Sequence, residues 1–240
     1  MTKLSVNLNK VALIRNSRGA NLPDLRQVAM DCEAYGAQGI TLHPRPDERH
    51  ARYDDIPVMK AVVTTELNVE GYPSDRFLKM ILEQLPDQCT LVPDLPGALT
   101  SDHGWDTIKH KSLLKDICAA LREKGIRSSL FVDPDPGMIE GAHELGADRV
   151  ELYTGPYAHK YTHNKERAIK PYLEASMIAR DIGIDLNAGH DLSLENLYFF
   201  RSTIPWIKEV SIGHALICDS LTYGLQNVIQ MYLEQLSRRE

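Results

Sequence analysis

Along the whole chain, short runs rich in β-forming residues alternate with longer segments whose apolar positions return every third or fourth residue. The short runs number eight: LSVNLN from Leu4, GITLH ending at His43, ELNVEG from Glu66, QCTLVPD from Gln88, RSSLFVD ending at Asp133, RVELYTG from Arg149, DLNAGH ending at His190 and VSIGH ending at His214. Between them, DLRQVAMDCEAYG, DDIPVMKAVVTT, SLLKDICAALREKG, PGMIEGAHELGA and EASMIARDIG carry helical spacing. Gly36, Gly125, Gly146 and Gly183 stand where helix C-caps favour a left-handed residue, and the next strand begins a few residues later. Strand and helix in alternation predict parallel βα units, and eight of them predict an α/β chain closed as a (β/α)8 TIM barrel. A doubly wound open sheet would have fewer strands and a glycine-rich first turn, which is absent. No Ser/Gly-rich or charge-block linker interrupts residues 1–240, so a single barrel domain is expected.

Composition agrees with one sizeable core: 43% of residues are hydrophobic and 25% charged, and a domain of this length buries roughly 70–75% of its unfolded surface. The formal net charge of −6 gives no general attraction for a nucleic-acid backbone or an anionic membrane, so neither is an expected partner and any anion site must be local. The start, MTKLSVNLNK, lacks a secretory signal pattern, and no apolar run approaches the ~18 residues of a membrane span. A cytoplasmic location is expected. Cys32, Cys89, Cys118 and Cys218 are widely spaced amid apolar neighbours with no CxxC pair, which reads as packed thiols.

In a barrel of this kind the strand C-termini and the loops that follow them form the catalytic face. Here those positions supply Asn7 and Asn9, His43, Glu70, Asp94, Asp133, Glu151, His190 and His214, more polarity than a bland scaffold requires. Asp94 and Asp133 have a structural reading as N-caps of the next helices. His110 and His143 fall inside predicted helices as solvated or surface-packed residues. His159 and His163 fall in a polar loop after the sixth strand and are expected at the surface.

HPRPDERH, from His43 to His50, packs two His, two Arg and two acids directly after a strand, and its prolines stiffen it. Stiff placement suits catalysis or anion binding; a structural salt-bridge loop is the alternative. NKVALIRNSRG, after the first strand, reads as a second basic loop on the same rim, with Lys10, Arg15 and Arg18. Arginine forks match phosphate or carboxylate oxygens, and lysine offers a compact charge. Gly213-His214, directly before the helical ALICDSLTYGL, is a third anion candidate at a helix N-terminus near the last strand.

Together, VNLNKVALIRNSRG, GITLHPRPDERH, NVEG, LVPD followed by LTSDHGW, LFVDPD, VELYTG, NAGH and SIGHALI resemble, in this order and over nearly the whole chain, the pyridoxine 5'-phosphate synthase family. The resemblance implies a transferase of vitamin B6 biosynthesis that condenses 1-deoxy-D-xylulose 5-phosphate with 3-amino-2-oxopropyl phosphate, with no metal and no organic cofactor. It implies proton acceptors at His43 and Glu70, a proton donor at His190 and a stabiliser of charged intermediates at Glu151. It places the amino-ketone phosphate against Asn7, Arg18, Asp191, Gly213 and His214, and the deoxyxylulose phosphate against Asn9, Lys10, Arg45, His50 and Thr100. Asp47, Glu48 and Arg49 are left to brace the loop. The family pattern has Asp-His where this chain has Asn9-Lys10, and Gly where it has Asp191; a carboxylate beside a phosphate repels it unless the side chain points away. A homo-oligomer built from dimers, up to an octamer, is also implied.

The residue types suit that chemistry independently. Imine formation, loss of phosphate and water, and ring closure need repeated proton transfers near neutral pH, for which His and an environment-shifted Glu are suited. Lys10 is read as loop-borne, so the substrate's own amine is expected to form the imine. A metal-dependent barrel hydrolase or isomerase acting on a sugar phosphate is the alternative, with His43, His190, His214, Glu70 and Glu151 converging on a divalent ion. The surplus of Arg and Lys in the same loops favours anionic substrates instead. A third reading is a non-catalytic phosphate-binding or assembly protein.

Overall fold

The computed structural model describes residues 1–94 and 101–238. β1 (Lys3–Asn7) is followed by α1 (Asn9–Asn16) and α2 (Leu25–Ala34), and β2 (Gly39–Leu42) by α3 (Asp55–Val62). β3 (Leu67–Gly71) leads into α4 (Asp75–Gln84), β4 (Gln88–Leu91) into α5 (Lys111–Glu123), and β5 (Arg127–Val132) into α6 (Pro136–Glu144). β6 (Arg149–Tyr153) precedes α7 (Gly155–Tyr161) and α8 (Lys165–Ile182), and β7 (Asp185–Gly189) precedes α9 (Leu197–Thr203). β8 (Glu209–Ile212) is followed by α10 (His214–Tyr223) and α11 (Leu225–Ser237). Each strand pairs in parallel with the next, and β1 pairs with β8, so the expected eight-stranded (β/α)8 barrel closes.

Local chemistry sets the helix ends. Asp24, Ser74, Asp135 and Asn164 accept the early backbone N–H groups of α2, α4, α6 and α8, satisfying donors that have no partner within the helix. The glycines expected at C-caps all have positive φ. Gly183, at φ 82°, closes α8 while its N–H and that of Ile184 reach back to the carbonyl of Ala179.

Along each strand, residues alternate between two buried faces. Leu4, Val6, Ile40, Leu42, Leu67, Val69, Leu130, Val132, Val150, Leu152, Val210 and Ile212 join buried helix residues such as Phe77, Ile139 and Ile229 in one core between sheet and helices. Apart from Phe131, the intervening residues are polar, and all are buried as well. Ser5 Oγ meets Thr41 Oγ1 at 2.7 Å, Thr90 donates to Asn68 at 3.0 Å, and Arg149 donates to Gln88 at 3.1 Å. With a side-chain period of two, this second set fills the barrel interior. The interior is therefore a polar column rather than the packed branched-aliphatic layers usual in such barrels.

Several assignments change. NKVALIRN is the helix α1, not a basic loop, so Lys10 is helix-borne. Its periodicity is weak because only Val11, Ala12 and Arg15 are buried. His159 lies in α7 instead of a loop, although it is exposed as expected, and His163 is in the turn that follows. His110 directly precedes α5 and packs its ring edge-on to Trp105 at 5.3 Å. Cys32, Cys89 and Cys118 are buried thiols, but Cys218 is exposed on α10. Among the described residues, no helix is long and apolar enough to cross a membrane.

Candidate active site

At the C-terminal ends of the strands lies a cavity of about 450 Å³. It brings together Asn7, Asn9, Lys10, His43, Arg45, His50, Glu70, His190, Asp191, Gly213 and His214, residues from β1, α1, the β2 and β7 loops, β3 and the β8–α10 junction. Glu151 lies in β6 beneath them, buried in the barrel. Arg18 is exposed past the end of α1 and is not among the cavity-lining residues. Thr100 lies outside the described residues.

The centre of the cavity is built from β1, β2 and β3. Asn7 Nδ2 reaches Glu70 Oε2 at 3.5 Å, and His43 Nδ1 lies 3.8 Å from the same oxygen. Asn9 Oδ1 accepts the backbone N–H of His43 at 2.9 Å, while Asn7 Oδ1 accepts the N–H of Asn9 at 3.0 Å. The two asparagines thus fix the end of β2 relative to β1. Gly213 allows this close packing, since a Cβ there would stand 3.0 Å from that of Asn7. Burial, reinforced by Arg45 and His50, holds the His43 imidazole well below its usual pKa, so it is neutral. Burial and the Asp94 carboxylate push Glu70 up to about 8. An imidazole able to take a proton therefore stands beside a carboxyl that titrates near neutrality.

On the opposite side, burial followed by the proximity of Glu70 and Glu209 drives the Glu151 pKa well above the carboxylate range, leaving a neutral acid. Its Oε2 is buried without a hydrogen-bond partner. A Cβ at Gly189 would overlap the Glu151 carboxyl, so the glycine of NAGH provides its space. His190 packs against the rings of Phe131 and Tyr153, with centroids at 5.0 and 5.7 Å, and those two rings touch each other at 5.5 Å. Burial lowers its pKa, with Asp191 opposing in part. His190 and Asp191 have φ of 76° and 56°, a left-handed pair whose members each cost of order 1–3 kcal/mol.

The rim is cationic, and its charges are held in different ways. Arg45 Nη2 pairs with Asp94 at 2.5 Å, and Ser101 Oγ donates to the same carboxylate oxygen at 2.6 Å, all three residues being buried. Asp94 is therefore the counter-ion of a cavity residue, and among the described residues the next helix, α5, follows His110. Asp133 does not cap α6: it accepts the N–H of Gly104 at 3.1 Å, and Asp135 is the cap. His50 Nδ1 accepts the N–H of Ala51 at 2.9 Å; burial, with Arg45, Arg49 and Lys10 around it, pushes its pKa down to about 4. Arg49, expected only to brace, lines the cavity while pairing with Asp47 at 3.3 Å. Glu48 does brace, taking Arg76 at 2.7 Å.

Arg15 is a structural residue. Its fork holds Asp55 at 2.6 and 2.9 Å. Beside it, Asn16 Nδ2 donates to the His50 carbonyl at 2.8 Å. These residues clamp the end of α1 to the HPRPDERH loop, and sequence reasoning missed Asn16, Asp55, Ser101 and Ser211 of the site and its support. The only local signal was the polar alternation of EVSI, which marks Ser211 as an interior position. Among the described residues, no three His, Cys, Asp or Glu side chains are grouped to hold a metal ion.

A closed parallel barrel with neutral imidazoles, protonated carboxyls and a cationic rim at its C-terminal mouth defines an acid/base site of the (β/α)8 class. Solved structures agree on the fold: 3-keto-L-gulonate-6-phosphate decarboxylase from Vibrio cholerae superposes with a TM-score of 0.66 at 12% identity, covering 99% of this chain and 98% of that one. Thiamine phosphate pyrophosphorylase from Pyrococcus furiosus gives 0.63 at 14% identity, covering 98% and 95%. Residues 4–238 match the model of the family "Pyridoxal phosphate biosynthesis protein PdxJ". The pyridoxine 5'-phosphate synthase of Cytophaga hutchinsonii is 57% identical over 238 residues, covering 99% of this chain and 100% of the relative. That of Flavobacterium johnsoniae is 55% identical over 236 residues, covering 98% and 100%. The chain belongs to this family, the pyridoxine 5'-phosphate synthases of vitamin B6 biosynthesis.

Proposed function

We propose that this chain, as one catalytic domain, condenses 1-deoxy-D-xylulose 5-phosphate with 3-amino-2-oxopropyl phosphate to pyridoxine 5'-phosphate, inorganic phosphate and water. The observation that carries the reading is the pairing, within one cavity, of a neutral His43 with a Glu70 that titrates near 8, beneath the cations Lys10, Arg45 and Arg49. The amino-ketone supplies the amine, and no enzyme lysine is needed for the imine. His43 takes protons as a neutral base, and Glu70 accepts them in its ionised fraction. His190 returns a proton to the leaving oxygen. Glu151, a neutral acid facing the barrel interior, offers a hydrogen bond to negative charge that develops above it.

For the substrates, Asn9, Lys10, Arg45, His50 and Thr100 contact the deoxyxylulose phosphate. Asn7, Asp191, Gly213 and His214 contact the amino-ketone phosphate, with Asp191 acting through its backbone N–H and Arg18 reaching in from outside the cavity lining. Two charged anchors hold the reacting carbons in register, and such positioning is worth roughly 7–11 kcal/mol in favourable cases. Our reading includes a cytoplasmic location and a dimer-based homo-oligomer of up to eight chains, and sedimentation of the purified protein tests the number of chains.

The test is incubation of the purified chain with both phosphates, with and without a chelator, followed by mass identification of the product and a phosphate assay. Pyridoxine 5'-phosphate in both arms is the expected result. Its absence from both arms would overturn the reading, and activity lost only to the chelator would favour the metal-dependent alternative.

A further inference from the structure

The left-handed pair His190-Asp191 persists because something holds it, and the residues that do so lie outside the cavity. Thr154 opens α7 at the N-cap position, where a threonine hydroxyl ordinarily accepts an N–H from the first turn; here it makes no such bond. Its hydroxyl turns instead to the end of β7, lying 2.5 Å from the Gly189 carbonyl oxygen and in contact with that of His190. The backbone N–H of Thr154 donates to the Gly189 carbonyl as well, at 3.0 Å. The next carbonyl along, that of Asp191, accepts from Asn196 Nδ2 at 3.2 Å, while Asn196 Oδ1 takes the N–H of Ser193 at 2.9 Å. Both Thr154 and Asn196 are buried.

The one hydroxyl proton of Thr154 is shared by the Gly189 and His190 carbonyls and the Asn196 amide takes that of Asp191, so two buried polar side chains meet three successive carbonyls of the strained turn. The clamp is itself backed by rigid groups: Tyr157 Oη donates to the Asn196 carbonyl and Tyr172 Oη to that of Tyr153, each at 2.8 Å. The helix cap that Thr154 forgoes shows where its hydroxyl is used. On these grounds we infer that Thr154, assisted by Asn196, is a positioning residue that holds the β7 turn in its left-handed form and so aims the His190 imidazole into the cavity, against the rings of Phe131 and Tyr153. Loss of the hydroxyl lets the turn relax and swings the ring off line. The inference rests on the assignment of His190 as proton donor.

Thr154→Val keeps the shape and removes the hydroxyl, whereas Thr154→Ser keeps the hydroxyl. The valine variant is expected to lose about 10- to 100-fold in kcat with KM for both substrates within about threefold, because a misplacement near 1 Å costs that much in rate. The serine variant should stay within about threefold of the wild-type kcat, the hydroxyl being retained. In a His190→Asn background, Thr154→Val should add almost nothing, since two residues acting through one group are not additive. An equal loss in both backgrounds, or a fall in Tm with kcat per folded site unchanged, overturns the inference. Near-normal turnover of His190→Asn alone would identify the donor assignment as the failing step. Should the valine variant not accumulate folded, Thr154→Ala serves in the same cycle.

Discussion

At the N-terminal end of the strands Glu66 receives Arg127, Arg149 at 3.6 Å and Lys3 at 3.2 Å, with Gln88 bridging the two arginines. Burial pushes the Glu66 pKa up, but these cations outweigh it and the group sits below the usual range. At the C-terminal end the carboxyls of Glu70 and Glu151 are buried more deeply, and that burial, with Asp94 beside Glu70 and with Glu70 and Glu209 near Glu151, raises their pKa values. The same residue type is thus an ionised strut at one end and a titrating acid at the other. Depth of burial and the placement of cations together separate structural charge from chemical charge. Glu209 is the instructive intermediate: it lies in the floor but is 4.0 Å from Arg149, and burial with Glu66 beside it pushes its pKa up to about 8.

The contrast can be tested from its strongest consequence downward. His43→Ala and Glu70→Gln should each lower turnover by about 10²–10⁴-fold, as loss of an acid or base does, with folding intact by circular dichroism; near-normal rates would remove them from the mechanism. Breaking ion pairs should then separate the two ends. Arg45→Met strands buried Asp94 and should cost about 3–5 kcal/mol in denaturant unfolding. Arg127→Met leaves Glu66 two other cations and should cost about 1 kcal/mol or less. Equal losses would show that the floor has no redundancy.

The next effect is on the pH profile. With Glu70 accepting protons in its ionised form, kcat/KM should climb with pH and level off above about 8. Glu70→Gln should abolish this limb, and a limb that survives the substitution belongs to another group. The smallest effect concerns stability. The folded pKa of Glu209, about 8, lies above its unfolded value of ~4.3. Its protonation therefore favours the fold fully below that lower value, and the benefit is lost as pH rises through the upper one. Glu209→Gln should consequently gain Tm relative to wild type between about pH 5 and pH 9 in thermal melts. A difference that stays constant with pH would mean that Glu209 is ionised like Glu66.

What was legible along the chain was whatever is carried by neighbours in sequence. The eight strands announce themselves because a strand's preferences and the glycine after a helix are local, and the residues at the strand ends were visible as His43, Glu70, Glu151 and His190. Helix α1 was not legible, since a helix that buries so few side chains leaves little periodicity. Nor could single positions reveal their partners: Arg15 and Asp55 are 40 residues apart and Arg45 and Asp94 are 49 apart, so an apparent phosphate fork proved to be a strut and an acid read as a helix cap serves as a counter-ion.

The order of the strands, the barrel class and the acids, bases and cations at the strand ends were thus determined by the sequence alone, because backbone propensity, side-chain period and ionisable type reside in individual residues or near neighbours. Only the tertiary structure decided which of those groups are neutral, which cations already have a carboxylate, and which hydroxyl holds the His190 turn. Protonation and pairing depend on burial and on distances of a few ångströms between strands, and those distances exist only once the barrel closes.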